Sequence, residues 1–529
     1  MPKLIQPLRK SNKLESSAMT YPNGGCHTCK IRRIKARSLS SLYGQQLTFH
    51  IPKCDETQPT CQRCIKSRRI CIRTTAQKAN FLIHIENRYA SGETKRPRGP
   101  RSSLTPAIYF DLQTRAVIYY LNYHLRMPAD VQCLPGSVAD SIVEWVSGAT
   151  IPMIDLAISS IALAIFSRTQ QNPVAAMEAC ARYDELLRHA QLMMPTVVET
   201  NIDAALLAVF LMSRYEDSAY NAEESLSNAA FNSFTHHDGA ISILKIWRHR
   251  HPRDRQPATD IVKHSRRGII RSAILRYLAV PPWLEDGRFF GERGQDLEYD
   301  RILVRVANLR NQLMALQQNN SQLKTISCEL FQSAQKLKSE AAGLDKALQE
   351  WAIQIPSAWH PRRHLVRTDA SLPAGYLFSS VIYSYPSIAY AAVWLNYSAT
   401  RMLLNQAWLR ILELIKPFSD ESAWNQQMEL CRTRIIVTAE DLSSSIPFVL
   451  ERCKVTNAGE HQTLTIFGTN EEIRPYVASL VAWPLSVASG IGSLHVEQKQ
   501  WFRTQLALIG RIIGSGVLAG VGAAGLLDL

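Results

Sequence analysis

From Ile108 onward, apolar residues recur at three- and four-residue spacing, the period of a helix with one buried face. Asp111–Arg126, Asp155–Arg168, Asp203–Glu216 and Asn228–Arg248 all carry this pattern. Each opens on an Asp or Asn suited to accept the unpaired backbone N–H groups of a first turn. Tyr299–Glu350 predicts two long amphipathic helices, and no alternating series marks a strand. Two stretches carry no charge, 370–400 and 475–494. Length alone would let either cross a membrane. Pro373, Pro386 and Pro484, among many Ser and Tyr, interrupt them, and each unsatisfied backbone group in lipid is costly. Both therefore predict buried core helices, with no membrane partner. The Gly-rich run from Ile509 to Leu529 has only 16 residues between Arg511 and Asp528 and predicts a packed terminal segment. The fold class expected for residues 107–529 is a large all-helical domain.

The pattern changes upstream of that domain. Residues 1–25 are polar and basic, lack the continuous apolar core of a signal peptide, and predict a disordered N-terminus. Residues 72–106 form a basic linker ending in KRPRGPRSSLTP, where Pro, Gly and Ser prevent a helix. Its run of Lys95, Arg96, Arg98 and Arg101 suits a nuclear-import signal and points to the nucleus. Residues 1–106 hold 21 Lys and Arg against 5 Asp and Glu, a net of +16. The whole chain is +15, so the remaining 423 residues sum to −1. A nucleic-acid partner therefore belongs to the N-terminal end alone.

That end also holds six of the 11 cysteines, within Cys26–Cys71. Cys26 with Cys29, and Cys61 with Cys64, form two CxxC pairs; Cys54 and Cys71 each stand six residues from the second pair. Thiolates so spaced suit zinc, a soft tetrahedral metal. A disulfide framework is disfavoured, because no secretory signal precedes the cluster and the segment is rich in Lys and Arg. Six thiolates leave no open coordination position, so the metal is expected to be structural and the chain not an enzyme. No P-loop, GxSxG or HExxH occurs. His236, His237, Asp238 and Gly239 resemble an acyl-transfer HHxxxDG motif without its three intervening residues, and predict a structural role. Cys133, Cys180, Cys328, Cys431 and Cys453 show no ligand spacing and predict buried thiols.

The cysteine spacing, Pro59 and the basic residues Lys30, Arg32, Arg33, Lys35, Arg63 and Lys66 resemble the fungal binuclear zinc-cluster transcription factors. The region from Ile108 resembles, more loosely, the helical regulatory domain that follows the cluster in many of them. The resemblance implies two Zn2+ per chain. Six thiolates cannot supply two separate four-ligand sites, so two must bridge. By resemblance Cys26 and Cys61 bridge the ions, Cys29 and Cys54 complete one site, and Cys64 and Cys71 the other. Each CxxC would open a short helix. The first would carry Lys30–Lys35 into the major groove of double-stranded DNA at a CGG-like triplet, and the second would set Arg63 and Lys66 against phosphates. A homodimer and transcriptional co-regulators are the protein partners left open, and no sustained heptad follows the cluster.

One interval departs from the family: 24 residues separate Cys29 from Cys54 where the pattern has six. Removing Ala36–Lys53, 18 residues, leaves CHTCKIRRIKCDETQPTCQRCIKSRRIC, which matches throughout. The insertion reads as a retained intron; the rival is a genuine surface loop. Two other classes stay open: an RNA- or protein-binding zinc module, and a helical sensor or scaffold with an inactive cluster. RNA binders interleave aromatics for base stacking. Between Cys26 and Cys71 the only Phe, Trp or Tyr are Tyr43 and Phe49, both inside the insertion.

Overall fold

A computed structural model describes residues 62–66, 110–126, 142–143, 145, 151–220, 226–251, 258–322, 328–366, 375–458, 461–466 and 473–521. The chain divides into two units, Met1–Pro106 and Ala107–Leu529. The described part of the first is one short helix, α1, Gln62–Lys66. The second unit is mainly helical.

Its helices start where backbone chemistry dictates. Asp111 caps α2, Leu112–Tyr119, by accepting from the Thr114 N–H, and the chain continues into a π-helical turn, Tyr120–His124. Three predicted starts move. The helix expected from Asp155 is α3, Pro152–Gln170; Pro152 occupies the first turn, where its missing N–H costs nothing. Asp155 instead lies inside that turn, where its charge meets the positive helix end. After α4, Pro173–Thr200, Asn201 rather than Asp203 caps α5, Ile202–Ala219, accepting from the Ala204 N–H. The helix expected from Asn228 is α6, Leu226–Arg250. Thr259 caps α7, Asp260–Arg276. The two long helices predicted in Tyr299–Glu350 are α8, Gly294–Gln322, and α9, Cys328–Ile353. Then come α10, Ile388–Ile415, and α11, Glu421–Val449. The last are α12, Pro475–Gly490, α13, Val496–Ile513, and α14, Gly516–Gly520.

The unit is not all helical. β1, Arg362–Leu365, pairs antiparallel with β2, Val381–Ser384, and β3, Cys453–Ala458, pairs with β4, His461–Ile466. Such short strands leave little alternation to read. The uncharged stretch 370–400 consequently yields β2 as well as the start of α10, which Ser387 caps. The stretch 475–494 gives the buried α12, as expected. Among the described residues one helix, α3, is long and apolar enough to cross a membrane. Here its apolar residues pack against α2, α4 and α5.

α10 is the centre. Leu395, Ala399, Met402 and Leu403 belong to the larger core, shared with α3, α5, α7, α11, α12 and α13. Tyr397, Leu404, Ala407 and Ile411 belong to a second core with Val306, Leu309 and Leu313 of α8 and Ala341, Leu344 and Leu348 of α9. The described part of the C-terminal segment, to Val521, packs as expected: a Cβ at Gly510 of α13 would collide with the α14 backbone at Ala519. Only glycine allows that approach.

α7 is tied to α8 by a buried ion pair. The Arg266 guanidinium is fully enclosed and donates to both carboxylate oxygens of Asp300, at 2.6 and 2.8 Å. Its other N–H groups donate to the carbonyls of Leu284 and Glu285. Asp300→Ala leaves this guanidinium buried without its counter-charge. We expect a loss of about 3–5 kcal/mol in denaturant unfolding, largely recovered by the paired replacement Arg266→Met, Asp300→Leu. Equal stability of Asp300→Ala and wild type would refute the role given to the pair.

Candidate functional site

Of the cysteine cluster, only Gln62–Lys66 is described. α1 begins at the residue after Cys61. Cys64 is 2% exposed, whereas Gln62 and Lys66 are exposed. The helix thus turns a thiol inward and an ammonium outward. Arg63 falls within α1, its side chain outside the described set. Cys26, Cys29, Cys54, Cys61 and Cys71 lie outside the described residues. So do Lys30, Arg32, Arg33 and Lys35, the insertion 36–53, and the basic run Lys95, Arg96, Arg98 and Arg101. Among the described residues no group of three or more His, Cys, Asp or Glu could hold a metal. The fit of zinc rests on the donor set itself, six thiols, with Cys64 turned inward.

In the helical unit the His236–Gly239 run serves helix contacts. Asp238 accepts from both terminal nitrogens of Arg276 at 2.7 and 3.0 Å, joining α6 to α7. His236 Nε2 lies 3.3 Å from the Tyr183 hydroxyl of α4. Burial, then the Arg276 charge, push the neighbouring His237 down to about 4. Cys431 and Cys453 are buried thiols, as expected, raised by burial to about 11 and about 12. Cys180 is a correction. It is exposed, because Ala175, Ala179, Tyr183 and Leu186 form the inward face of α4 and Cys180 lies one step round from it. Cys133 and the Cys328 side chain fall outside the described residues.

A groove of about 400 Å³ lies between α8 and α9, lined by Glu298, Arg301, Arg305, Glu350 and Trp351 among others. Its arginines are already paired, Arg301 with Glu298 at 2.6 Å and Arg305 with Glu340 at 2.9 Å. On α7, His264, Gly268 and Arg271 share one face by helical spacing. His264 meets Phe210 of α5 edge-on, ring centroids 5.0 Å apart. Arg271 reaches Trp483 of α12 at 5.6 Å and Asn396 of α10 at 3.5 Å. Desolvation by its neighbours, then the charges of Arg271 and Arg267, lower the His264 pKa, although the residue is exposed. Sequence reasoning did not single out His264, Arg267 or Arg271, because an outward basic face gives the same helical spacing.

No family model, no curated protein and no solved structure matches this chain.

Proposed function

We propose that the protein is a sequence-specific DNA-binding regulator of transcription, acting in the nucleus through a structural two-zinc cluster that reads CGG-like triplets. The observation that carries this reading is the coincidence of the six cysteines with the chain's entire excess of positive charge. The exposure of Lys66 beside the inward Cys64 agrees with it. Cys26, Cys29, Cys54, Cys61, Cys64 and Cys71 would hold the zinc. When bound, the metal supplies the folding free energy of a segment with almost no apolar core, on the order of ten kcal/mol or more per site. The helical unit would follow as the regulatory half. The insertion favours a second reading for the 529-residue form, a helical sensor or scaffold whose cluster does not read DNA.

Metal analysis of the purified protein should give close to two zinc per chain, and Cys61→Ser should cost more zinc than any other single cysteine change, because it removes a bridging ligand. One equivalent or none would end the binuclear assignment.

Gel shifts with a CGG-containing duplex against single-stranded RNA separate DNA binding from the RNA alternative. Arg32→Ala and Arg33→Ala should each cost roughly 1–3 kcal/mol on the cognate duplex and relax specificity. Lys30→Ala and Arg63→Ala should weaken all duplexes alike and reduce the salt slope. Parallel loss of cognate and non-cognate binding in the two arginine variants would contradict this division.

The insertion gives a further test. Excising its 18 codons removes 54 nucleotides, the size of a short fungal intron. Every Ala codon begins GC, so a cut before Ala36 uses the minor GC donor, and an AAG codon for Lys53 ends in the AG acceptor. Thermodynamics tolerates the loop: widening six residues to 24 costs about 1.2 kcal/mol by the logarithmic closure law. Position argues against it, since an insertion directly after Lys35 would crowd the reading residues at the groove. The form lacking residues 36–53 should bind the CGG duplex more tightly than the 529-residue form. Messenger that always retains the 54 nucleotides would exclude the intron, and equal affinities would show the loop to be harmless.

A further inference from the structure

α4 packs against α3 and α5 through Ala175, Ala179, Tyr183 and Leu186. Away from that face the helix is unusually apolar. Among the described residues, five of the 16 exposed large apolar side chains lie on this one helix: Val174, Met177, Leu187, Leu192 and Met193. Met177 is 67% exposed and Leu192 78%, so neither is a core residue glimpsed at an edge. Single exposed apolar residues need no explanation, whereas a row of them marks an interaction surface. The row also has a period. Val174, Met177, Ala181, Asp184, Arg188 and Gln191 follow at alternating intervals of three and four, and all six are exposed. That is the repeat by which one helix lies along another.

Two opposite charges sit in the middle of the row. Asp184 and Arg188 are 2.9 Å apart, their side chains 68% and 69% exposed. Consider a second copy of α4 running antiparallel, related by a two-fold axis level with Leu186. Asp184 of each copy then stands opposite Arg188 of the other, as an isologous contact requires. In the same register Met177 stands opposite Pro195, and the two copies of Leu187 meet beside the axis. A parallel pairing would instead set Asp184 against Asp184 and Arg188 against Arg188. Glu185 lies off the row and is held by Arg182 at 3.2 Å, so it brings no unpaired charge to the axis. An unrelated helix has no reason to carry this order of charges, whereas a second copy carries it by construction.

We propose that α4 is a self-association surface, along which two copies of this chain pair antiparallel. The apolar residues supply the favourable burial. The four alternating charges fix direction and register more than they add affinity, because desolvation offsets much of their attraction. One pair of helices is at the small end of interface sizes, which places the dimer at roughly micromolar concentration. The surface lies wholly on α4, so it does not rest on the cysteine cluster or on DNA binding.

The test is sedimentation velocity of the full chain, kept reduced, from about 1 to about 100 µM. The wild type should pass from monomer to dimer within that range. Asp184→Arg and Arg188→Asp should each weaken self-association about tenfold or more, because like charges then face each other. Both positions are exposed, so both variants should melt at the wild-type temperature. An equimolar mixture of the two variants restores an opposite charge at every facing position, and should dimerise to within about threefold of wild type. The proposal falls if the wild type stays monomeric at about 100 µM. It falls equally if a dimer forms whose strength the two reversals leave unchanged, or if mixing the variants fails to restore it.

Discussion

A helix with almost no solvent face must be surrounded, and α10 is such a helix. Its buried residues point in every direction, from Leu395 and Met402 on one side to Tyr397 and Ile411 on the other. Covering them takes α8 and α9 on one side and α11 and α12 on the other. Burial of that apolar surface is the main favourable term available to the unit. It also fixes the layout: two cores sharing one helix cannot be rearranged independently.

Polar groups buried beside α10 limit how its neighbours can slide. Thr400 bonds the Tyr299 hydroxyl of α8 at 2.7 Å, and Gln406 accepts from Ser493 at 2.8 Å, just past α12. Asp345 of α9 meets Arg434 of α11 at 3.1 Å. Each contact is worth little net while made, but a displaced helix would leave a buried donor or acceptor unpaired, which costs more than the bond gains. Arg266 with Asp300 acts in the same way between α7 and α8.

The chain assigns different physics to its two ends. Residues 1–106 carry a net charge of +16 and six of the 11 cysteines, the features on which the proposed DNA-binding function rests. The helical unit is nearly neutral and pairs many of its arginines with its own carboxylates.

Much of the helical unit was legible in the sequence, because a 3.6-residue apolar period survives in any helix with one buried face. The two long helices after Tyr299 and the uncharged, Pro-interrupted α12 were readable that way. The Asp111 cap was readable too, since capping is local chemistry. The starts of α3 and α5 were misplaced because Pro152 and Asn201 compete with Asp155 and Asp203 for the same role. The hairpins were missed because strands of four or six residues are defined by their partners rather than by an internal period. The cysteine cluster is the opposite case: its reading as a zinc site is a proposal that rests on residue type and spacing alone. Only the tertiary structure decided which charges are buried and paired: Arg266 meets Asp300, 34 residues away, and no local pattern records so distant a partner.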